Sequence, residues 1–105
     1  MRTQREKAIA RIAFDKAYTN ECNNMIESVK EKANNLSGPR GVWELGDYLD
    51  HKRNEMDQKH DYRYSVLIHV FGRLVGEGGV EMKDLEGLEE EKIQRIRFIA
   101  GVDAS

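Results

Sequence analysis

The sequence of 105 residues contains one cysteine and one proline and has no long apolar run. Cys22 alone cannot form an internal disulfide. No stretch approaches the roughly 18 consecutive apolar residues of a membrane span, and the first residues, MRTQREKAIARIAF, lack the apolar core of a signal peptide. These absences predict a soluble, cytoplasmic protein that does not insert into a membrane.

The sequence also lacks an excess of charge of either sign. Its 17 basic and 19 acidic side chains give a net charge of −2, so no cationic field attracts a nucleic-acid backbone. With 39% hydrophobic and 34% charged residues, burial must come from narrow apolar stripes on solvated elements, which favours helices. A chain of this length forms one domain. We therefore predict a single all-α domain over residues 1–105, without nucleic acid as a partner.

Residues that could carry catalysis or bind a metal are few. His51, His60 and His69 are the only histidines, and His69 has no second ligand three or four residues away. Cys22 has no base or positive charge beside it to activate its thiol, and we expect it to be a buried small apolar residue. No nucleophile elbow or phosphate-binding glycine loop is present. The sequence therefore predicts neither an enzyme nor a metal site.

Two long helices are predicted in the first 57 residues. Residues 3–36 contain no glycine or proline, and the motif NNLSGPRG at 34–41 ends the first helix and turns the chain. The second helix runs from about residue 41 to 57. Each helix carries apolar residues at spacings of three and four. These are Cys22, Met25, Ile26, Val29, Ala33 and Leu36 in the first helix and Val42, Leu45, Leu49 and Met56 in the second.

The apolar stripe of the second helix has the heptad-like spacing of a helix that packs against a partner helix. The first helix, with up to about 30 residues, would be about 45 Å long at 1.5 Å per residue. That length exceeds the width of a domain of this size, so the chain cannot cover the helix alone. A homodimer is the simplest prediction.

Two further helices are predicted in the second half of the chain. The third begins after Asp61, a common N-cap residue, ends at the GEGG motif at 76–79, and should be the most buried helix. His69 lies off its apolar stripe and should be partly exposed. The inward positions of the last helix are Ile93, Ile96 and either Ile99 or Ala100.

The last helix has basic residues that could be mistaken for DNA contacts. They are predicted on its exposed side, at Lys92, Arg95 and Arg97. Three glutamates directly before the helix suit the positive end of its dipole and would repel phosphate. A solvated helix is therefore the better interpretation.

Trp43, the only tryptophan, lies off the apolar stripe of the second helix and within about one turn of Asp47 and Tyr48. A tryptophan beside charges is typical of an anchor in a protein interface. A tryptophan packed at the flank of the core is the alternative.

Residues 42–96 contain two ordered motifs. VWELGDYLDHKRNEMDQKHDYRYSVLIHVFGRLVGEG is followed by DLEGLEEEKIQRI. This stretch resembles the fluorescence recovery protein family of cyanobacterial photoprotection. The resemblance implies an all-α homodimer with a long-helix stalk, about residues 3–57, and a small helical head, about residues 61–101.

The resemblance also implies a non-enzymatic function that needs no cofactor. Family members bind the photoactivated, red form of the orange carotenoid protein, mainly through that protein's C-terminal domain. They accelerate its return to the resting orange form and help to detach it from the phycobilisome, which ends fluorescence quenching. The alternative is a recovery-protein-like dimeric interaction protein with a different protein partner and no carotenoid-protein activity.

The resemblance places the expected sites at single residues. The implied partner-binding residues are Trp43, Asp47, Arg53, His69 and Arg95. The predicted dimer interface combines the apolar stripe with two of these residues and consists of Val42, Trp43, Leu45, Leu49 and Arg53. Three positions depart from the family pattern: Gly46 stands where a histidine is common, His69 where a phenylalanine is common, and Arg95 where a lysine occurs.

Overall fold

The computed structural model describes residues 3–102, and every regular element within that range is a helix, which confirms the all-α prediction. No helix in this range is both long and apolar enough to cross a bilayer. The elements are α1 (Gln4–Asn34), α2 (Pro39–Lys59), α3 (Leu67–Gly76), a short 3-10 helix (Met82–Leu85) and α4 (Glu90–Ala100).

The two long helices begin and end close to the predicted positions. The Thr3 hydroxyl caps α1 by accepting a hydrogen bond from the Glu6 backbone N–H at 3.0 Å. Pro39 occupies the first turn of α2, where its missing N–H costs nothing. The chain measures 53 × 29 × 19 Å, and its radius of gyration is 16.7 Å, against about 13 Å for a compact domain of this length. The fold is therefore elongated.

The predicted start of the third helix is wrong. Asp61 does not cap a helix, since α3 begins at Leu67. The Asp61 carboxylate instead accepts hydrogen bonds from the Arg63 guanidinium at 2.6–3.0 Å. The Tyr62 ring packs edge-on against Phe14 of α1 with ring centroids 4.8 Å apart. These tertiary and local contacts keep residues 60–66 outside the helix.

The hydrophobic core lies where the first half of α1 meets α3, the 3-10 helix and α4. Five of the ten residues of α3 are buried, as expected of the most buried helix. The first half of α1 therefore contributes to this core, although it falls in the range predicted as stalk; the division into stalk and head stays a prediction. The buried core residues are Ala10, Ala13, Phe14, Ala17, Leu67, Val70, Phe71, Leu74, Val80, Leu85, Leu88 and Ile96.

A buried carboxylate joins the starts of α1 and α4. Glu6 is only 3% exposed and accepts hydrogen bonds from the Glu89 backbone N–H at 2.9 Å and from Lys92 Nζ at 2.9 Å. The prediction that Lys92 lies on the exposed side of α4 is therefore wrong. Its ammonium is drawn inward because the buried carboxylate needs a positive partner.

Two glycines allow α3 and α4 to approach closely. A Cβ atom at Gly72 would lie 2.6 Å from Ile99 Cβ, and one at Gly76 would lie 3.3 Å from the Ala100 carbonyl oxygen. Glycine inside a helix costs about 1 kcal/mol relative to alanine, and here the close approach offsets that cost. Because the contacts advance in the same direction along both helices, α3 and α4 run roughly parallel where they touch.

Candidate protein-interaction site

The second half of α1 and helix α2 form an antiparallel hairpin. Lys32 Nζ lies 4.7 Å from the centre of the Tyr48 ring, and Lys52 Nζ lies 3.5 Å from Glu21 Oε1. The contacts between the two helices are thus largely polar. The apolar residues that the sequence analysis assigned to the stripes are only partly used within the chain.

The residues of the predicted apolar stripe of α2 do not all face the same way. Leu45 is half-buried toward α1, and Met56 is buried. Val42 and Leu49 remain 49% and 39% exposed. The division arises because a heptad spacing drifts around a straight helix with 3.6 residues per turn.

α1 has a matching exposed flank. Ile26 is 46% exposed, and its neighbours Cys22 and Val29 are half-buried. The expectation of a buried Cys22 is therefore wrong, since Cys22 is only half-buried. The second half of α1 is covered on one side only. In each helix, the inward direction is the side that faces the other helix of the hairpin. Seen from the N-terminus of α1 or of α2, and with 100° of rotation per residue, the apolar flank lies about 100° clockwise from that direction.

Because the two helices are antiparallel, equal clockwise rotations bring both flanks to the same side of the hairpin. We call this surface the hairpin face. It consists of Cys22, Ile26, Val29, Val42 and Leu49, with Arg53 at its edge one turn beyond Leu49. A monomer leaves this apolar surface in contact with water.

The outermost side of α2 carries Trp43 and Asp47. Trp43 is 72% exposed, so it is not a core residue of this chain. Asp47 and Arg53 are also exposed, and neither forms an ion pair with another residue between positions 3 and 102. These three side chains are therefore available to a partner.

Gly46 lies on the same side of α2, and a Cβ atom there would meet no atom within 4 Å. We expect Gly46→Ala to raise the free energy of unfolding by about 1 kcal/mol, because alanine favours the helix and nothing has to move. Chemical denaturation compared with the wild-type chain measures the change. Gly72→Ala is the matched control and should destabilise, because its Cβ would collide with Ile99. A loss of stability in Gly46→Ala would contradict the open position of Gly46.

A charge cluster with a buried lysine at its centre joins the hairpin to α3. Lys59 Nζ lies 2.6 Å from Glu21 Oε1 and 3.0 Å from Glu77 Oε2, and its side chain is 7% exposed. The His60 ring, 2% exposed, lies 2.7 Å from the second Glu21 oxygen. We call Glu21, Lys59, His60 and Glu77 the junction cluster. It connects α1, the end of α2 and the end of α3.

The electrostatics of the junction cluster are set by its central carboxylate. Burial acts to raise the pKa of Glu21, but hydrogen bonds from Lys59 and His60 outweigh it and hold that pKa at about 2. Burial acts to lower the pKa of Lys59, and hydrogen bonds to Glu21 and Glu77 raise it above its usual value. The Glu21–Lys59 pair is therefore ionised in the folded chain at neutral pH.

His69 and Arg95 lie on the α3–α4 end of the molecule, and both are exposed. His69 borders a groove of about 210 Å³ that is also lined by Lys59 and Arg73. The hairpin residue Trp43 is 16 positions before Lys59, which corresponds to about 24 Å along α2. The five predicted partner-binding residues therefore fall into two separate groups, one on α2 and one on α3 and α4.

Sequence reasoning missed two features of these surfaces. The junction cluster was not predicted because Glu21 and Glu77 are 56 positions apart in sequence. Phe98 was also overlooked, although it is 87% exposed. Its position between the inward residues of the last helix was the available signal.

The fold and these surfaces define a small all-helical protein that exposes apolar and charged faces. Between residues 3 and 102 no group of three or more His, Cys, Asp or Glu side chains is placed to hold a metal ion. The chain belongs to the fluorescence recovery protein family. The family model described as "Photoprotection regulator fluorescence recovery protein" matches residues 2–100. Members of this family are regulators of photoprotection.

The chain is similar to individual family members over nearly its whole length. It is 36% identical to the Fluorescence recovery protein of Synechocystis sp. PCC 6803 over 98 residues, 93% of this chain and 90% of the relative. The solved Fluorescence Recovery Protein of Fremyella diplosiphon superposes with a TM-score of 0.90 at 36% identity, covering 95% of this chain and 98% of that chain. The Synechocystis structure gives the same TM-score and coverage at 35% identity.

Proposed function

We propose that this protein is a homodimeric regulator that binds the photoactivated orange carotenoid protein through that protein's C-terminal domain. It accelerates the return to the resting orange form and the detachment from the phycobilisome, so that fluorescence quenching ends. Membership of the family over residues 2–100 carries the proposal. The regulator acts in the cytoplasm, where the phycobilisome antenna is exposed.

The proposed action requires binding but no bond chemistry. A partner that binds the path toward the orange state more tightly than the red state lowers the barrier between them. The exposed side chains of Trp43, Asp47 and Arg53 offer an aromatic group and both charges to such a partner. Neither catalysis nor a cofactor of the regulator is needed.

The homodimer is proposed because the hairpin face is apolar and uncovered in the single chain. Val42, Leu49 and Ile26 expose between 39% and 49% of their surface on one side of the hairpin. A second copy would cover this face symmetrically, and Arg53 at its edge could meet a carboxylate of the other copy. The predicted residue Leu45 would contribute only its remaining exposed part.

A second candidate function follows from two departures from the family pattern. At positions 46 and 69 this chain has a glycine and a histidine where other side chains are common in the family. Both positions are exposed in this structure. Such changes favour the alternative in which the dimer binds a different protein. The two candidates make opposite predictions for one assay.

The assay follows the recovery of orange absorbance in the dark after the carotenoid protein has been converted to its red form. We expect the wild-type chain to accelerate this recovery and to form a complex with the red form on size exclusion. Unchanged recovery together with no complex would reject the carotenoid-protein function and leave the alternative.

His69→Phe is expected to strengthen binding to the red form by about three- to tenfold, since a phenylalanine at this exposed position buries more apolar surface on binding. Titration of labelled carotenoid protein measures the change in Kd. His51→Phe is the matched control. The His51 side chain is also exposed, at 81%, but it lies on α2, on the flank opposite the hairpin face. If both variants bind alike, position 69 does not contact the partner.

A further inference from the structure

The outward side of α4 ends in a small apolar patch. Phe98 is 87% exposed, the highest value of any large apolar residue between positions 3 and 102. Ile99 and Val102 are adjacent and expose 37% and 40%. An exposed phenylalanine with apolar neighbours is more than the scattered single residues of an ordinary surface. We call Arg95, Phe98, Ile99 and Val102 the α4 patch.

The charge of the α4 patch comes from Arg95. It lies one turn before Phe98, on the same side of the helix. It forms no ion pair with any residue of the range 3–102. The three glutamates at the start of α4 lie four to six residues before Arg95, about 6–9 Å along the helix axis. A complementary surface would therefore offer an apolar pocket with a carboxylate at its rim.

The α4 patch is continuous with the surface around His69. α3 and α4 run roughly parallel and touch at Gly72 and Ile99. His69 lies clockwise from Gly72 on α3, and Arg95 lies anticlockwise from Ile99 on α4, so these two side chains point to the same side. The burial pattern agrees, because the opposite side of the pair holds the buried Phe71 and the half-buried Ile93.

We propose that Phe98 is the apolar anchor of the surface that binds the protein partner, inserting into an apolar pocket rimmed by carboxylates. Arg95 lies beside it, on the side toward His69, and the carboxylates pair with Arg95. This inference rests on the proposed function, in which the partner is the red form of the orange carotenoid protein. It adds a residue that the family resemblance did not assign to the site.

A folded protein fits the α4 patch better than two other occupants. A membrane surface requires a long helix with a broad basic face, whereas α4 has 11 residues and begins with acidic ones. A second copy of the chain already has the hairpin face, which presents more apolar residues. An aromatic anchor beside an arginine is the composition typical of a binding hot spot.

The test compares Phe98→Ala with Ile12→Ala in the full chain. Ile12 is the matched control because it is 70% exposed on α1 and lies outside the α4 patch. We expect Phe98→Ala to weaken binding to the isolated C-terminal domain of the carotenoid protein, and to the red form, by about tenfold or more. Ile12→Ala should change the Kd by less than about twofold. Arg95→Glu should weaken binding more than Arg95→Lys, which keeps the charge.

Each other outcome overturns the inference in a distinguishable way. Wild-type binding that Phe98→Ala leaves unchanged rejects the anchor but not the proposed function. Absence of binding by the wild-type chain rejects both. A change in oligomeric mass in Phe98→Ala by light scattering assigns the patch to a second copy. Phe98-dependent sedimentation with vesicles of anionic phospholipid assigns it to a membrane. Because Phe98 is exposed, thermal unfolding of the variant should match the wild type.

Discussion

Leu49→Asp is expected to convert the proposed homodimer into a monomer. Leu49 is 39% exposed in the single chain, so the fold should tolerate the change. In a dimer, the aspartate would place a carboxylate in the apolar hairpin face and remove it from water, which should raise the dimer Kd by at least about 100-fold. Light scattering measures the outcome as a fall from twice the chain mass to 12.1 kDa.

Asn54→Asp is the matched control for this dimer prediction. It adds the same charge to an exposed position of α2 on the side away from the hairpin face. The control should keep the mass of the dimer. If Leu49→Asp and the wild-type chain have the same mass at micromolar concentration, the hairpin face is not the dimer interface.

Loss of the Glu21 charge is expected to cause the largest change in stability. Glu21→Gln removes the carboxylate between Lys59 and His60 and leaves two largely buried groups with weaker partners. We expect the free energy of unfolding at pH 7 to fall by about 2–4 kcal/mol. Glu27→Gln on the same helix is the control, since its pair with Lys30 is exposed and 3.7 Å apart. That variant should lose less than about 0.5 kcal/mol.

The pH dependence of this difference gives an independent check. The pKa of Glu21 is about 2 in the folded chain, below its usual 4.5. A depressed carboxylate pKa stabilises the fold above the unfolded value, and the contribution disappears as pH falls through the folded value. The stability difference between wild type and Glu21→Gln should therefore be largest above about pH 5 and shrink toward pH 2. If the difference in the free energy of unfolding is constant over this pH range, the charge of the Glu21 carboxylate is not its cause. All denaturant titrations use one protein concentration, because dimer dissociation makes the apparent stability depend on concentration.

The expected result for Glu21→Gln depends on contacts that the sequence pattern did not contain. The residues of the junction cluster belong to three helices, and no periodic signal links them. The exposed apolar residues of the hairpin were recognised from their spacing, but only the structure shows which of them turn inward. Leu45 and Met56 pack within the chain, whereas Val42 and Leu49 of the same predicted stripe stay exposed.

Local signals succeeded where the chemistry that they describe is local. The NNLSGPRG and GEGG motifs act on neighbouring backbone groups, and α1 and α3 end within them, at Asn34 and Gly76. Asp61 failed as a cap because Arg63 binds its carboxylate and Tyr62 packs on Phe14. Lys92 failed as an exposed residue because a carboxylate 86 positions earlier draws it inward.

The sequence by itself determined the helical class, the long first helix, the buried third helix and, through its motifs, the family. It could do so because helix periodicity and turn chemistry are short-range properties. Only the tertiary structure decided that Trp43 and Phe98 face outward, that Glu21 binds Lys59 and His60, and that both apolar flanks share one side of the hairpin. These outcomes depend on how helices rotate and pack against one another, which is fixed by contacts between residues distant in sequence.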